Sequence, residues 1–395
     1  MLKLPNYIYY LLFGQAINLI TAVLSVTVAA IVGLTLAPTP SYATIPYGLQ
    51  FFAILISTLF FSNLMRKFGR YPVFVMGILF LFFSGLLGFF SLQLKSFEIL
   101  CLSHFCLGLF ISTANFYRFA ATDGLQKNQI SRATSMVISG GVIAAIVAPL
   151  LAINFENVNN FPHYSIIYLI LSILSVLLFI IISLWNVSTK KLLPNVKTIE
   201  NSNSKEIIKL NLIIIGILGG ALSYYLMNLM MIVSSLHLKT SHSFHYASTA
   251  IQMHVLAMFL PSFFVAKIIN RIGSIHTIIL GFIFIALSSL LPILFTQSKF
   301  INLSLIILGI GWNFSYSGGS ALIGSIKGEN KMKIQGINET GIALFATLGA
   351  FLPAPILSYL GWINTNFVSF IFSIVAIFII LILNKHYKKG SYEKN

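Results

Sequence analysis

The chain alternates between long apolar runs and short polar segments. Ten intervals contain no Asp, Glu, Lys or Arg and are long enough for a bilayer-spanning helix, which takes about 20 residues: 4–65, 71–94, 99–117, 133–155, 157–189, 210–238, 240–266, 272–298, 300–326 and 340–384. We interpret them as membrane-embedded because an ionised side chain at mid-bilayer is costly. The first interval is too long for one helix and breaks at the Pro-Thr-Pro sequence 38–40, and the last breaks near Gly361. The pattern predicts an all-α membrane protein with twelve transmembrane helices.

One polar segment divides these spans into two groups of six. It contains Asn-Ser-Asn-Ser at 201–204, a composition typical of a flexible linker. An offset of 204 residues aligns Lys67 with Arg271, Gly69 with Gly273, and Gly77 with Gly281. This internal match predicts a duplicated unit. We therefore expect an N-terminal six-helix bundle at 1–186, a cytoplasmic linker at 187–209, a C-terminal six-helix bundle at 210–384 and a cytoplasmic tail at 385–395.

The basic residues predict the orientation of the chain. If the N-terminus is cytoplasmic, only Lys95, Lys239 and Lys299 of the 24 Lys and Arg residues lie outside. Because Lys and Arg concentrate on the cytoplasmic side, both termini are expected there. The first apolar run is about twice as long as the core of a signal peptide, so we interpret it as a helix rather than a cleaved leader. We expect a multi-pass protein of the bacterial inner membrane.

The composition excludes several classes of protein. Only 8% of the 395 residues are charged, against about 25% in soluble domains, which excludes a soluble enzyme. The net charge of +16 comes from basic residues between the spans, so we expect no nucleic-acid partner. Cys101 and Cys106 are spaced unsuitably for a disulfide within one helix. The motifs of zinc peptidases, P-loops and nucleophile elbows are absent. We therefore expect no enzymatic activity, metal or cofactor, and transport driven by gradients.

Polar side chains inside the spans are candidates for contact with a substrate, because such groups face neighbouring helices or a cavity. Asn18 lies near mid-depth in the first span, where a bond to the substrate and a bond between helices are both open. Trp312 lies deep in the tenth span, away from the interface that Trp prefers, and fits either a platform for a planar or cationic solute or core packing. The substrate-binding candidates are Gln15, Asn18, His104, Asn115, Tyr224, Asn228, His254, Trp312 and Asn313.

None of the eight acidic residues falls within the core of a predicted span. A proton-coupled carrier needs a titratable group in its pathway, commonly a carboxylate, so this distribution disfavours carboxylate-based coupling. The imidazoles of His254 and His104 are the remaining groups that titrate near neutral pH. Uniport, exchange and a histidine-linked cycle stay open.

The sequence resembles the major facilitator superfamily of secondary transporters over almost its whole length. Residues 66–71, Arg-Lys-Phe-Gly-Arg-Tyr, are similar to the end of the signature G-x-x-x-D-R-x-G-R-R, with Ser62 at the first glycine and Arg66 at the aspartate. The stretches 117–123, 258–264 and 311–314 resemble a little-characterised bacterial branch of that superfamily. The resemblance implies two six-helix bundles that rock around a central site lined by spans one, four, seven and ten.

The resemblance also implies a gate on the cytoplasmic side. The signature aspartate helps to close that side in the family; Arg66 takes its place here, and Asp123 follows span four, so we hypothesise a pair with exchanged signs. Arg271 and Glu329 occupy the comparable loops of the second half. Arg118 fits an anionic substrate, a cytoplasmic anchor or a gate. The gating candidates are Arg66, Arg70, Arg118, Asp123, Arg271 and Glu329; solvated loop charges are the competing interpretation.

We expect a monomeric carrier that moves a small organic solute across the lipid bilayer by alternating access. Uptake of an aromatic or vitamin-like metabolite and efflux of amphipathic compounds both suit a chain with 35 Phe and 16 Tyr residues. The alternative from another class is a transport-inactive membrane sensor or scaffold. Such a protein would carry a signalling or docking domain, whereas the linker and the tail are short.

Overall fold

The computed structural model describes residues 4–39, 42–192, 210–241, 244–295, 297–328 and 330–392. In these ranges the chain forms helices and no strand. In chain order the helices are α1 (Tyr7–Leu36), α2 (Ile45–Phe68), α3 (Arg70–Gln93), α4 (Phe97–Ala114), α5 (Tyr117–Ala120), α6 (Lys127–Ile138), α7 (Gly140–Phe155), α8 (Ser165–Leu192), α9 (Leu210–Ser241), α10 (Phe244–Phe259), α11 (Ser262–Ile272), α12 (Ser274–Leu294), α13 (Ser298–Gly324), α14 (Lys331–Phe351) and α15 (Pro353–Tyr392).

Most of these helices are long and apolar enough to cross a bilayer. Ten meet both conditions among the described residues, and the pair α10 and α11, bent by 43°, makes an eleventh. Helix α14 has 21 residues but carries Lys331, Lys333 and Glu339, which lower its hydropathy. It begins before the charge-free interval in which the eleventh span is predicted. The prediction of an all-α, polytopic membrane protein is confirmed, and the count of ten to eleven spans agrees roughly with twelve.

The two aligned glycines of the internal repeat form the same backbone turn. Helix α2 passes into α3 through Gly69 with φ of 83°, and α11 passes into α12 through Gly273 with φ of 87°. This left-handed conformation after a helix favours glycine. Helix α15 bends at Gly361, where φ is 75°, which is close to the break predicted for the last interval. Glycine positions thus mark the ends and bends of spans.

The chain divides into two compact units. The first comprises Met1–Gly124, Met136–Ser202 and Gln335–Thr340, and the second comprises Leu125–Ser135, Asn203–Ile334 and Gly341–Asn395. Each unit therefore includes a short helical segment from the other half of the sequence. Helix α8 continues to Leu192, and the remainder of the expected linker, 193–209, lies outside the described residues. The domain limits that the sequence suggests stay a prediction.

Each unit has its own packing of helices. In the first unit α3 packs against α4 and α8, and α1 packs against α7 and α8. In the second unit α13 packs against α9, α10 and α12. Residues 311–321 of α13 are all buried. Helix α13 therefore lies in the interior of the second unit, where its side chains meet those of three neighbouring helices.

Candidate functional site

An aromatic cluster lies in the second unit, between α9, α10 and α13. Trp312 stacks on Tyr316, with ring centroids 4.7 Å apart and an interplanar angle of 15°. Tyr224 and Phe259 each contact the Trp312 ring edge-on, with centroids at 5.7 Å. Tyr224 also contacts Tyr316 at 6.3 Å. We call these four residues the aromatic cluster.

The aromatic cluster contains an unsatisfied hydrogen-bond donor. Trp312 and Tyr316 meet because residues four apart lie on one face of a helix. Trp312 is 2% exposed, and its indole Nε1 has no hydrogen-bond partner, which is uncommon for a buried polar group. Tyr224 is half-buried. The cluster offers aromatic rings and one N–H donor, which are groups that a flat heteroaromatic solute can contact.

The other predicted site residues of the second unit bind atoms of neighbouring helices. The Asn313 Nδ2 donates to the Met258 carbonyl at 2.7 Å and to the Ser262 hydroxyl at 2.6 Å, and so bridges the break between α10 and α11. Asn228 Nδ2 donates to a carbonyl of α14 at 3.2 Å. His254 Nδ1 lies 2.7 Å from a carbonyl of α13, while its Nε2 has no partner. These contacts favour helix positioning over direct binding.

His104 is the centre of a buried polar network in the first unit. Its Nδ1 lies 3.3 Å from the Ser25 hydroxyl, which donates to Gln50 Oε1 at 2.5 Å. Its Nε2 lies 3.0 Å from the Tyr168 hydroxyl. The four residues come from α4, α1, α2 and α8. Buried polar networks of this kind fix the packing of helices, so the geometry favours a positioning role for His104.

The remaining first-unit candidates differ in how far their polar groups are paired. Asn18 is 1% exposed and its Oδ1 has no partner, although its backbone carbonyl accepts from the Thr21 hydroxyl at 2.8 Å. Gln15 and Asn115 are half-buried. The Asn115 carbonyl accepts from Arg118 Nη1 at 2.9 Å. Asn18 therefore carries a buried acceptor without a hydrogen-bond partner.

Asp123 forms its ion pair with Arg70. The Arg70 Nε donates to Asp123 Oδ2 at 2.6 Å, and Nη2 donates to Oδ1 at 3.2 Å, a two-point contact that fixes orientation as well as charge. The same Nη2 donates to Gln335 Oε1 at 3.0 Å. The hypothesis that Asp123 pairs with Arg66 is therefore wrong, because Arg66 is exposed at the end of α2 and the buried Arg70 takes this role.

A second ion pair joins Arg118 to Glu339. The Arg118 Nη2 donates to Glu339 Oε1, and the two side chains are 3% and 1% exposed. Glu339, which directly precedes the last charge-free interval, is the ninth residue of α14. The sequence criterion missed it because intervals defined by the absence of charge end at any charged residue. Arg118 at the end of the fourth span could have indicated such a residue, because a buried arginine requires an acidic partner.

Two gating candidates stay predictions. Arg271 is exposed at the end of α11, and Glu329 lies outside the described residues, so their pairing is untested. Within the part of the chain that the structure describes, no group of three or more His, Cys, Asp or Glu residues is placed to hold a metal ion.

The long apolar helices are those of a polytopic membrane protein. The model of the Major Facilitator Superfamily matches residues 11–326 and 216–394, and the chain belongs to this superfamily. It is 30% identical over 389 residues to the riboflavin transporter RfnT of Brucella anthropi, covering 97% of this chain and 96% of that protein. It is 23% identical over 354 residues to the uncharacterized MFS-type transporter YddS of Bacillus subtilis, covering 85% and 80%.

Solved structures share the fold. The proton:xylose symporter XylE matches with a TM-score of 0.75 at 13% identity, covering 96% of this chain and 95% of that chain. The human organic anion transporter MFSD10 matches with a TM-score of 0.75 at 11% identity, covering 94% and 98%. The predicted family, the fold class and the transport of a small solute are confirmed. The family consists of transporters rather than enzymes, as the sequence predicts.

Proposed function

We propose that this chain transports riboflavin across the bacterial inner membrane. The main support is the 30% identity to the riboflavin transporter RfnT, which extends over 97% of the chain and therefore over both units. Riboflavin is an aromatic vitamin and belongs to the solute class that the sequence predicts. The proposal includes a monomeric carrier with both termini in the cytoplasm and six-helix bundles at 1–186 and 210–384.

The unpaired indole in the aromatic cluster is the structural observation that supports this proposal. The isoalloxazine ring of riboflavin is flat and presents carbonyl and ring-nitrogen acceptors. An aromatic contact adds about 0.5–1.5 kcal/mol beyond the burial of area. Trp312 Nε1, which is buried without a partner, supplies a donor for one of those acceptors. In our proposal the ring enters beside Tyr224 and lies against Trp312 and Tyr316.

The other sequence-predicted residues take two roles in this proposal. His104, Asn228, His254 and Asn313 hold helices in position, since each is bonded to a neighbouring helix. Asn18, with its unpaired Oδ1, is available to a hydroxyl group of the solute. Gln15 and Asn115 stay candidates for solute contact because they are half-buried.

Binding of riboflavin to the purified protein tests the proposal through quenching of flavin fluorescence. We expect saturable quenching by the unaltered protein. Trp312→Leu removes both the ring and the donor and should weaken binding by about tenfold or more. Trp312→Phe keeps an aromatic ring without the N–H group, so its loss should be smaller, about three- to tenfold.

Trp185→Phe is the matched control. Trp185 is 5% exposed, its Nε1 also has no hydrogen-bond partner, and its ring lies 5.6 Å from Phe74 in the first unit. This variant should bind riboflavin like the unaltered protein. The proposal fails if the unaltered protein does not quench flavin fluorescence, or if Trp185→Phe weakens binding as much as Trp312→Phe.

A further inference from the structure

Helices α10 and α11 form a span that is interrupted at Pro261 and bent by 43°. Pro261 has no N–H group, so it cannot donate to the carbonyl of Ala257 as a residue inside a continuous helix does. The offset of 204 residues aligns Pro261 with Ser57, and α2 is continuous at that position. The interruption therefore distinguishes the second half from the first at these aligned positions. We call residues 258–262 the helix break.

Asn313 of α13 binds both sides of the helix break. Its Nδ2 donates to the Met258 carbonyl oxygen at 2.7 Å and to the Ser262 hydroxyl at 2.6 Å. In a continuous helix the Met258 carbonyl would accept from the N–H group of Ser262. Asn313 is 0% exposed, so both bonds are shielded from water. The amide of Asn313 therefore supplies a donor at the point where the helix is interrupted.

The backbone of α10 lies directly against α13 one turn before Asn313. A Cβ atom on Gly309 would be 2.7 Å from the His254 carbonyl oxygen and 2.9 Å from the Met258 nitrogen. Any side chain at this position would push the two helices apart, because these contacts are with backbone atoms. Gly309 and Asn313 are four residues apart and share a face of α13. Asn313 thus binds where the contact with α13 passes from α10 to α11.

The helix break includes Phe259, one of the four rings of the aromatic cluster. The Met258 carbonyl and the Phe259 nitrogen belong to one planar peptide group, so the bond from Asn313 fixes the backbone that carries the Phe259 ring. Asn313 also directly follows Trp312 in α13. The bond between Asn313 and Met258 therefore joins the two backbone segments whose rings, Phe259 and Trp312, meet edge-on with centroids at 5.7 Å.

We propose that Asn313 is a positioning residue for riboflavin and that it acts through Phe259. It holds the Phe259 ring against Trp312 before the solute binds. A site that is ordered in advance binds more tightly, because less conformational entropy is lost on binding. This inference rests on the proposed transport of riboflavin. It makes the affinity for riboflavin depend on a residue whose own amide donates to the helix break.

A double-variant cycle tests whether Asn313 acts through Phe259. Asn313→Leu removes the amide donor, and Phe259→Leu removes the ring that the donor positions. Each should weaken riboflavin binding by about three- to tenfold, measured by quenching of flavin fluorescence. Asn313→Leu/Phe259→Leu should bind within about twofold of the weaker single variant, because both changes disturb one contact. A loss equal to the product of the two single losses would overturn the inference, since Asn313 would then act independently of Phe259.

Asn366→Leu is the matched control. Asn366 of α15 is also 0% exposed, its Nδ2 donates to the Trp362 carbonyl of its own helix at 2.8 Å, and its Oδ1 has no hydrogen-bond partner. This variant should bind riboflavin within about twofold of the unaltered protein. If it weakened binding as much as Asn313→Leu, the loss would reflect the removal of any buried amide, and the inference would fail.

Ser262 offers a test that does not require a variant of Asn313 to fold. Ser262→Ala removes one of the two acceptors and should weaken binding by about two- to threefold, whereas Ser262→Thr keeps the hydroxyl and should restore the affinity. Unchanged affinity in Ser262→Ala would overturn the inference and leave the proposed function intact. Absence of riboflavin binding by the unaltered protein would overturn the proposed function and, with it, this inference.

Discussion

Two segments, each contributed by one half of the sequence to the unit formed mainly by the other, are bound by different chemistry. In the first unit, Gln335–Thr340 is bound by an ion pair between Arg118 and Glu339 and by a hydrogen bond from Arg70 to Gln335. Arg70 is in turn paired with Asp123; we call this set of contacts the charged junction. In the second unit, Leu125–Ser135 is bound through Ser131, whose hydroxyl donates to Asn270 Oδ1 at 2.5 Å; we call this the neutral junction. The offset of 204 residues aligns Ser131 with Gln335.

The two junctions should differ in how much stability depends on each partner. A neutral hydrogen bond contributes about 0.5–1.5 kcal/mol net and depends little on pH. A buried ion pair that loses one partner costs about 3–5 kcal/mol, because an uncompensated charge is left behind. Removal of one partner should therefore cost more at the charged junction than at the neutral junction. The two segments thus occupy positions that the offset aligns, and they differ in the chemistry of their contacts.

Removal of one partner at the charged junction should have the largest effect on stability. Arg118→Met leaves the Glu339 carboxylate buried without its cation and should destabilise the protein by about 3–5 kcal/mol. Arg118→Met/Glu339→Met removes both charges and should recover most of that loss. Thermal unfolding in detergent measures both variants. The comparison breaks if Arg118→Met is as stable as the double variant, since Glu339 would then not depend on Arg118.

The outer ion pair of the charged junction should have an intermediate effect. Asp123 is 24% exposed, so water compensates part of the loss in Asp123→Asn, and we expect destabilisation of about 1–2 kcal/mol. Arg66→Gln should change stability by less than about 0.5 kcal/mol, because Arg66 is exposed. Unfolding of the two variants is compared directly. If Arg66→Gln destabilised the protein as much as Asp123→Asn, Arg66 would be the partner of Asp123, as the sequence suggests.

The neutral junction should show the smaller effect of the two junctions. Ser131→Ala removes the donor to Asn270 and should destabilise the protein by about 0.5–1.5 kcal/mol. Thermal unfolding in detergent, with the unaltered protein in parallel, measures this loss. A loss as large as that of Arg118→Met would remove the distinction between the two junctions.

The bilayer explains why the sequence predicts so much of the fold. A span needs about 20 apolar residues, so the apolar intervals identify most of the helices, and the repeat identifies Gly69 and Gly273 as equivalent turns. The same criterion could not find Glu339, because a charged residue ends an interval by definition. The helix begins at Lys331 and continues through Glu339. The ion pair with Arg118 compensates the buried charge of Glu339.

The candidate site could be predicted only in part. Trp312 can be identified from its position deep in the tenth span, away from the interface that Trp prefers. Tyr316 lies on the same face because it is four residues further along the helix. Phe259 and the contact of Tyr224 with Trp312 depend on packing between helices, which no local pattern in one sequence specifies. His104 and Asn313 are polar residues in apolar spans like any substrate ligand, and only their partners in the fold distinguish a positioning role.

A cryo-electron microscopy reconstruction of the protein with saturating riboflavin, enlarged by a rigid antibody fragment, tests the central claim most directly. We predict density for the isoalloxazine ring in contact with Tyr224 and Trp312, with Trp312 Nε1 at about 2.7–3.2 Å from an acceptor of the ring. Density for the ring at a site that none of the aromatic cluster touches, or no density at saturating riboflavin, would contradict the claim.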